Sequence, residues 1–186
     1  RVDILFVAIF LSMESAGIYG LCAKLAPIFS LSQRFITPIL LPRFSSSVLA
    51  GAKETILLLR AAISVSVVLS ASLALVFYFF GSQLLATTGN DLELDIVVFI
   101  TLCIAHVFNA IGSNFGSLIL VSENPSVHGR VVLSLLASVV LLMYFFQPST
   151  VVGVAVLTAF GIVSYNCVFS IIGIRIIKKL ESASPS

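Results

Sequence analysis

The side chains best suited to chemistry in this sequence are ionisable groups stranded in apolar surroundings. Arg1, Asp3, Lys24 and Arg34 each lie inside or beside runs of aliphatic and aromatic residues. His106, Asn109 and Asn114 punctuate a later run, Ile96–Val121, that holds no Asp, Glu, Lys or Arg. An ionisable group within a bilayer costs at least about 2.5 kcal/mol on insertion scales, and it ordinarily faces a partner or a water-filled cavity. Cations placed in this way could line a path for an anionic substrate. Lys24 could equally be a long side chain snorkelling to an interface. Arg34 could equally be half of a structural ion pair, since Asp3 on the first segment is available to either Lys24 or Arg34 on the second. His106 reads as an interhelical hydrogen-bonding residue or as a proton relay. Asn109 and Asn114 read as polar glue between helices.

Signatures of soluble enzymes do not occur. The sequence has no H-E-x-x-H, no G-x-S-x-G and no phosphate loop, the motifs that place a metal, a nucleophile or a nucleotide. No catalytic residue, metal or cofactor is therefore expected. Cys22, Cys103 and Cys167 sit apart in apolar runs, without the tight spacing of metal ligands, and read as small buried hydrophobes. The Gly112-x-x-x-Gly116 pair is not a nucleotide loop, because no Lys follows it. In an apolar segment that spacing lets helices approach closely. A net charge of +2 is too small to point to nucleic acid.

The elements that must carry these groups follow from composition. Hydrophobic residues make up 59% of the chain and charged residues 10%, with a mean hydropathy of +1.18. A soluble domain carries about 25% charged residues, so this composition cannot build a water-facing surface, whereas it can build a lipid-facing one. A helix needs roughly 20 apolar residues to cross the hydrocarbon core. On that measure the sequence predicts an all-α membrane protein, a bundle of six transmembrane helices over residues 1–180 with a disordered tail at 181–186. The spans are Val2–Leu11 (half a crossing, as of a helix truncated upstream), Ala16–Leu41, Ile56–Phe80, Ile96–Val121, Val127–Phe146 and Val151–Ile174. Polar loops are expected at Ser12–Ser15, from Pro42 to Thr55, and around Thr87–Asp91. With no Trp in the chain, the interfacial aromatic belt falls to Tyr19, Tyr78, Tyr144 and Tyr165.

The connections alternate in charge. Those after spans two, four and six carry Arg43, Lys53, Arg60, Arg130, Arg175, Lys178 and Lys179. Those after spans one, three and five carry Glu14, Asp91, Glu93, Asp95 and Gln147. The positive-inside rule makes the first set, and the carboxyl terminus with it, cytoplasmic.

Several stretches also resemble a known family. Arg1-Val-Asp-Ile-Leu-Phe-Val-Ala-Ile-Phe, followed by Glu14-Ser-Ala-Gly-Ile-Tyr-Gly-Leu-Cys-Ala-Lys24-Leu, is similar to the polysaccharide (O-antigen) flippases of the MATE-like MOP superfamily. So are Pro42 before a Ser-rich stretch, Leu118-Ile-Leu-Val-Ser-Glu-Asn-Pro125, and Pro148-Ser-Thr-Val-Val-Gly153-Val-Ala155. The resemblance implies one lobe, the carboxyl-terminal one, of a twelve-helix transporter working by alternating access, with the amino-terminal lobe as its missing partner. It implies flipping of a polyprenyl-pyrophosphate-linked oligosaccharide across a bacterial inner membrane, among membrane lipids and alongside polysaccharide polymerase and glycosyltransferases. It also implies that Arg1, Lys24 and Arg34 line a cationic cavity for the anionic headgroup, with Asp3 either holding an arginine or taking part in cation coupling.

Other functions fit parts of the pattern. A cation-coupled multidrug exporter of the same superfamily would need intramembrane carboxylates, of which Asp3 is the main one. A non-transporting scaffold would tolerate replacement of Lys24 and Arg34. A membrane glycosyltransferase or polymerase would need a long soluble loop, and no connection is long enough.

Overall fold

A computed structural model describes residues 2–86, 96–122 and 125–183. Its elements are helical throughout: α1 (Val2–Phe10), α2 (Met13–Leu25), a 3-10 turn (Ala26–Ser30), α3 (Leu31–Ala50), α4 (Ala52–Ala86), α5 (Ile96–Ser122), α6 (Pro125–Phe146) and α7 (Val151–Ala183). Among the described residues there is no strand. Four stretches, Ala52–Phe79, Ile96–Ser122, Pro125–Phe146 and Val151–Ala183, are long and apolar enough to cross a membrane. They expose large apolar side chains such as Val68, Leu133, Leu141 and Phe160, which lipid solvates without penalty. The chain is a helical membrane protein.

The segment expected to form one span from Ala16 to Leu41, imperfect and bent by its prolines, differs most from expectation. Its first half begins earlier. Ser12 takes an extended conformation, and its Oγ accepts from the Ser15 amide at 3.0 Å. This N-cap starts α2 at Met13, so the expected break at Ser12–Ser15 shrinks to Leu11-Ser12. Pro27 then stands at the start of the 3-10 turn. The Ser30 hydroxyl closes that turn onto the Pro27 carbonyl at 3.0 Å.

The second half runs on. α3 passes through Pro38 and Pro42 and across the serines expected to form a loop. The serine hydroxyls satisfy themselves within the helix, Ser46 on the Arg43 carbonyl at 2.9 Å and Ser47 on the Phe44 carbonyl at 3.0 Å, so they do not pull the chain out of it. Gly51 ends α3 at φ 120°, a conformation that favours glycine. α4 follows at once, and the expected polar loop reduces to that residue. At the other end of the chain, Glu181–Ala183 form the last turn of α7 where a disordered tail was expected. The loop expected at Thr87–Asp91, with Glu93 and Asp95, lies outside the described residues, as do Glu123 and Asn124.

α5 is the central helix, and its closest partner is α7. A Cβ on Gly112 would lie 2.4 Å from Asn166 Cβ, one on Gly116 2.8 Å from the Phe169 ring, and one on Gly173 of α7 2.6 Å from the Phe115 ring. Only hydrogens fit at these points, so backbones approach and dispersion contacts accumulate along the whole interface. The paired numbers rise together on both helices, so α5 and α7 run parallel, with α6 joining them in sequence.

One end of the bundle is packed by Phe29, Phe77 and Phe99, with ring centroids 5.0–6.5 Å apart. Leu40, Phe44, Leu59 and Leu118 pack the other, with Ile177 against them. Arg43, Arg60 and Lys178 adjoin that second cluster in sequence, so the basic connections gather at one end of the molecule. α6 is peripheral, and Met143 is its buried residue.

Tyr78 and Tyr144 are exposed near helix ends, as an interfacial belt requires. Tyr19 is fully buried and Tyr165 is half-buried. Both turn into the bundle, and the belt loses them. Cys22 and Cys103 are buried, whereas Cys167 is exposed on α7.

Candidate functional site

The broken segment α2–turn–α3 sets the site. Lys24 occupies the last turn of α2 and Arg34 the first turn and a half of α3, on either side of the Pro27 turn. Both side chains are exposed. Arg1 lies outside the described residues.

Asp3 does not take up the expected contact with Lys24 or Arg34. Its Oδ2 accepts from the Tyr19 hydroxyl at 3.0 Å, and the same phenol oxygen lies 3.1 Å from Thr158 Oγ1. The single Tyr19 hydroxyl hydrogen is directed at Asp3, so Thr158 is the donor in the second bond. A buried Tyr needs such partners for its polar tip. Here it ties α1, α2 and α7 together at one point.

Asp3 also borders a cavity of about 350 Å³ between α1, α5, α6 and α7. Its wall is mainly apolar, from Val132, Leu136, Val139 and Val140 of α6, with His106, Thr158 and Tyr165 as the other polar members. His106 Nδ1 lies 3.3 Å from Ser30 Oγ. Ser30 Oγ also bonds the Pro27 carbonyl, so this contact links the cavity wall to the turn. A carboxylate, an imidazole and two hydroxyls in an apolar chamber are a set suited to holding a proton or a cation.

A second polar layer lies deeper. Asn114 is fully buried and donates to Ser66 Oγ and to the Ala110 carbonyl, both at 3.1 Å. Gln33 of α3 donates to the same Ser66 hydroxyl at 3.4 Å and to the same Ala110 carbonyl. Three helices thus share one hydroxyl and one carbonyl. On the far side of α5, Asn166 Nδ2 donates to Asn109 Oδ1 at 3.3 Å. Asn166 Oδ1 has no hydrogen-bond partner among the described residues, but it sits 2.5 Å from the Cβ position of Gly112, over that glycine's Cα–H. A weak C–H···O contact accounts for its place there. Asn114 Oδ1 is likewise buried without a donor among the described residues.

The structure therefore brings Asp3 and His106 to one cavity, places Asn109 and Asn114 at two separate helix interfaces, and leaves Lys24 and Arg34 facing outward. Sequence reasoning missed Tyr19, Ser30, Gln33, Thr158 and Tyr165. Gln33 carried a signal, a polar amide between two prolines in an apolar run. The Asp3–Tyr19–Thr158 chain carried none, because Thr158 is 139 residues from Tyr19.

No protein-family model matches the chain, and no curated protein or solved structure matches it either.

Proposed function

We propose that this chain forms one lobe of an alternating-access transporter that flips a polyprenyl-pyrophosphate-linked oligosaccharide across a bacterial inner membrane. The observation that carries the reading is the outward exposure of Lys24 and Arg34 on the two sides of a proline-broken helical segment. A lipid-facing position would tax each charge by at least about 2.5 kcal/mol. An anionic headgroup in a hydrated cavity offsets that cost, with paired hydrogen bonds to the guanidinium and a point charge from the ammonium. The resemblance of the segments around Asp3, Gly17–Lys24 and Pro148–Ala155 to the flippase family supports the same reading. The second lobe would supply the opposite cavity wall. The basic end of the bundle, and the carboxyl terminus with it, would be cytoplasmic by the positive-inside rule. Polymerase and glycosyltransferases would act on the same lipid-linked substrate.

The test is restoration of surface polysaccharide in a bacterial strain lacking its own flippase, with protein abundance checked in parallel. The full-length protein should restore it, and Lys24→Gln and Arg34→Gln should lose it at normal abundance. Full restoration by both variants would refute a substrate role for these cations.

A second reading, a cation-coupled exporter, is favoured by the Asp3–His106–Thr158–Tyr165 cavity. It predicts drug efflux that depends on a sodium or proton gradient and is abolished by Asp3→Asn.

A further inference from the structure

Among the described residues α3 is the one long helix that is not apolar enough to cross a membrane on its own account, and its exposed face contributes to that. Arg34, Pro38, Pro42 and Ser45 recur at three- and four-residue spacing, so they share that face, and all four are exposed. Phe35 and Ile39 flank the line. The opposite face carries Leu40, Phe44 and Ser47 and is buried.

The prolines matter through what they lack. Pro38 has no amide hydrogen for the Arg34 carbonyl, and Pro42 has none for the Pro38 carbonyl. Two successive carbonyls on the exposed face are thus without their helical donor. In hydrocarbon each would cost several kcal/mol, and irregular backbone at membrane depth is tolerated only where it meets protein or water. A guanidinium at the head of the same line adds to that penalty. Along this line lipid is therefore disfavoured, although Phe35, Ile39 and Leu49 on the same exposed side are apolar. The chemistry of the line is a cation followed by two strong neutral acceptors and a hydroxyl. That order complements a ligand with an anionic group followed by hydroxyl donors.

We infer that the Arg34–Pro38–Pro42–Ser45 face of α3 is hydrated and recognises the saccharide part of an anionic glycolipid, its hydroxyls donating to the proline-freed carbonyls of Arg34 and Pro38. This rests on the flippase reading and adds to it a role for the backbone, separate from that of the cations. Substitution to Ala returns an amide at each position, so Pro38→Ala restores the donor to the Arg34 carbonyl and Pro42→Ala the donor to the Pro38 carbonyl. Neither removes a side-chain hydrogen bond, and both favour the helix.

The experiment has two arms, both on the full chain. In the first, single cysteines at Phe35, Ile39, Val68 and Leu133 are placed in a background without Cys22, Cys103 and Cys167, and are treated with a membrane-impermeant thiol reagent. Phe35→Cys and Ile39→Cys should react, whereas Val68→Cys of α4 and Leu133→Cys of α6 should stay protected. Protection at both α3 positions overturns the hydrated face. In the second, binding of a polyprenyl-pyrophosphate-linked oligosaccharide is compared with that of the bare polyprenyl pyrophosphate in nanodiscs. Pro38→Ala and Pro42→Ala should each weaken the sugar-bearing lipid by roughly three- to tenfold, the loss of one hydrogen bond, and leave the bare lipid unchanged. If wild type binds the glycolipid and the variants bind it equally well, the saccharide role fails and the flippase reading stands. If wild type binds neither lipid, both fall.

Discussion

Gly112→Ala isolates the contact on which the bundle most depends. The added methyl would lie 2.4 Å from Asn166 Cβ and 2.5 Å from its Oδ1, about 1 Å short of ordinary van der Waals contact. Asn166 cannot swing aside cheaply, because its amide is held by Asn109 and by the Ile162 carbonyl at 2.8 Å. Rotation of the side chain cannot relieve the contact with Cβ, which the backbone fixes, so α5 and α7 must separate and weaken that hydrogen bond. Overpacking of this kind costs about 1–3 kcal/mol, and an interhelical hydrogen bond in a membrane protein about 0.6 kcal/mol. Removing a helical glycine returns at most about 1 kcal/mol. The net expectation is a loss of about 0.5–2.5 kcal/mol, or a melting temperature lower by about 1–10 °C. Gly20→Ala is the control, since nothing lies within 4 Å of its Cβ position. It should be neutral or stabilising. Buried Cys22 and Cys103 provide the assay: a thiol-reactive fluorophore reports their exposure on heating, in a background where exposed Cys167 is replaced by Ser. Melting of Gly112→Ala at or above the wild-type temperature would refute the argument that α5 and α7 are locked by backbone proximity.

Other perturbations separate the remaining contacts. Tyr19→Phe removes the hydroxyl shared by Asp3 and Thr158 and should cost about 1–3 kcal/mol by leaving a buried group unpaired. The cost should shrink in a Thr158→Val background when both are followed by thermal unfolding. A double-mutant cycle between Asn109→Ala and Asn166→Ala should return a coupling of about 0.6 kcal/mol and no more than about 1.7 kcal/mol. Phe29→Ala removes the ring that touches both Phe77 and Phe99 and should lower stability by about 3–5 kcal/mol, measured against Phe35→Ala, whose ring is exposed.

What could be read in the sequence tracks the range of the forces involved. α4, α5, α6 and α7 were visible because a long apolar run bounded by polar residues is a local property. The break between α2 and α3 was not. Pro27 and Pro38 look alike in sequence, yet one starts a 3-10 turn and the other is carried inside a helix. Which of these happens depends on how neighbouring helices pack. The serine-rich stretch at Ser45–Ser47 was misread for a related reason. Serine satisfies itself equally well in a loop or on a helical carbonyl, and burial of Phe44 and Ser47 against α4 decides for the helix. His106, Asn109 and Asn114 stood out as polar residues in an apolar run, but their partners Ser30, Asn166 and Ser66 are 76, 57 and 48 residues away. Spacing on one helix cannot choose among such partners. Asp3 stood out for its charge, whereas the partner the structure gives it, a neutral phenol sixteen residues on, carries no electrostatic signal.

The most direct measurement is flipping itself. The full-length protein would be reconstituted in liposomes containing a fluorescent polyprenyl-pyrophosphate-linked oligosaccharide, and access of an external quencher followed over time. The account predicts transfer between leaflets for the wild-type protein, and a loss of most of that rate for Arg34→Gln at equal reconstitution. Unchanged transfer by Arg34→Gln and Lys24→Gln together would contradict the claim that the cations beside the Pro27 turn lie on the substrate path.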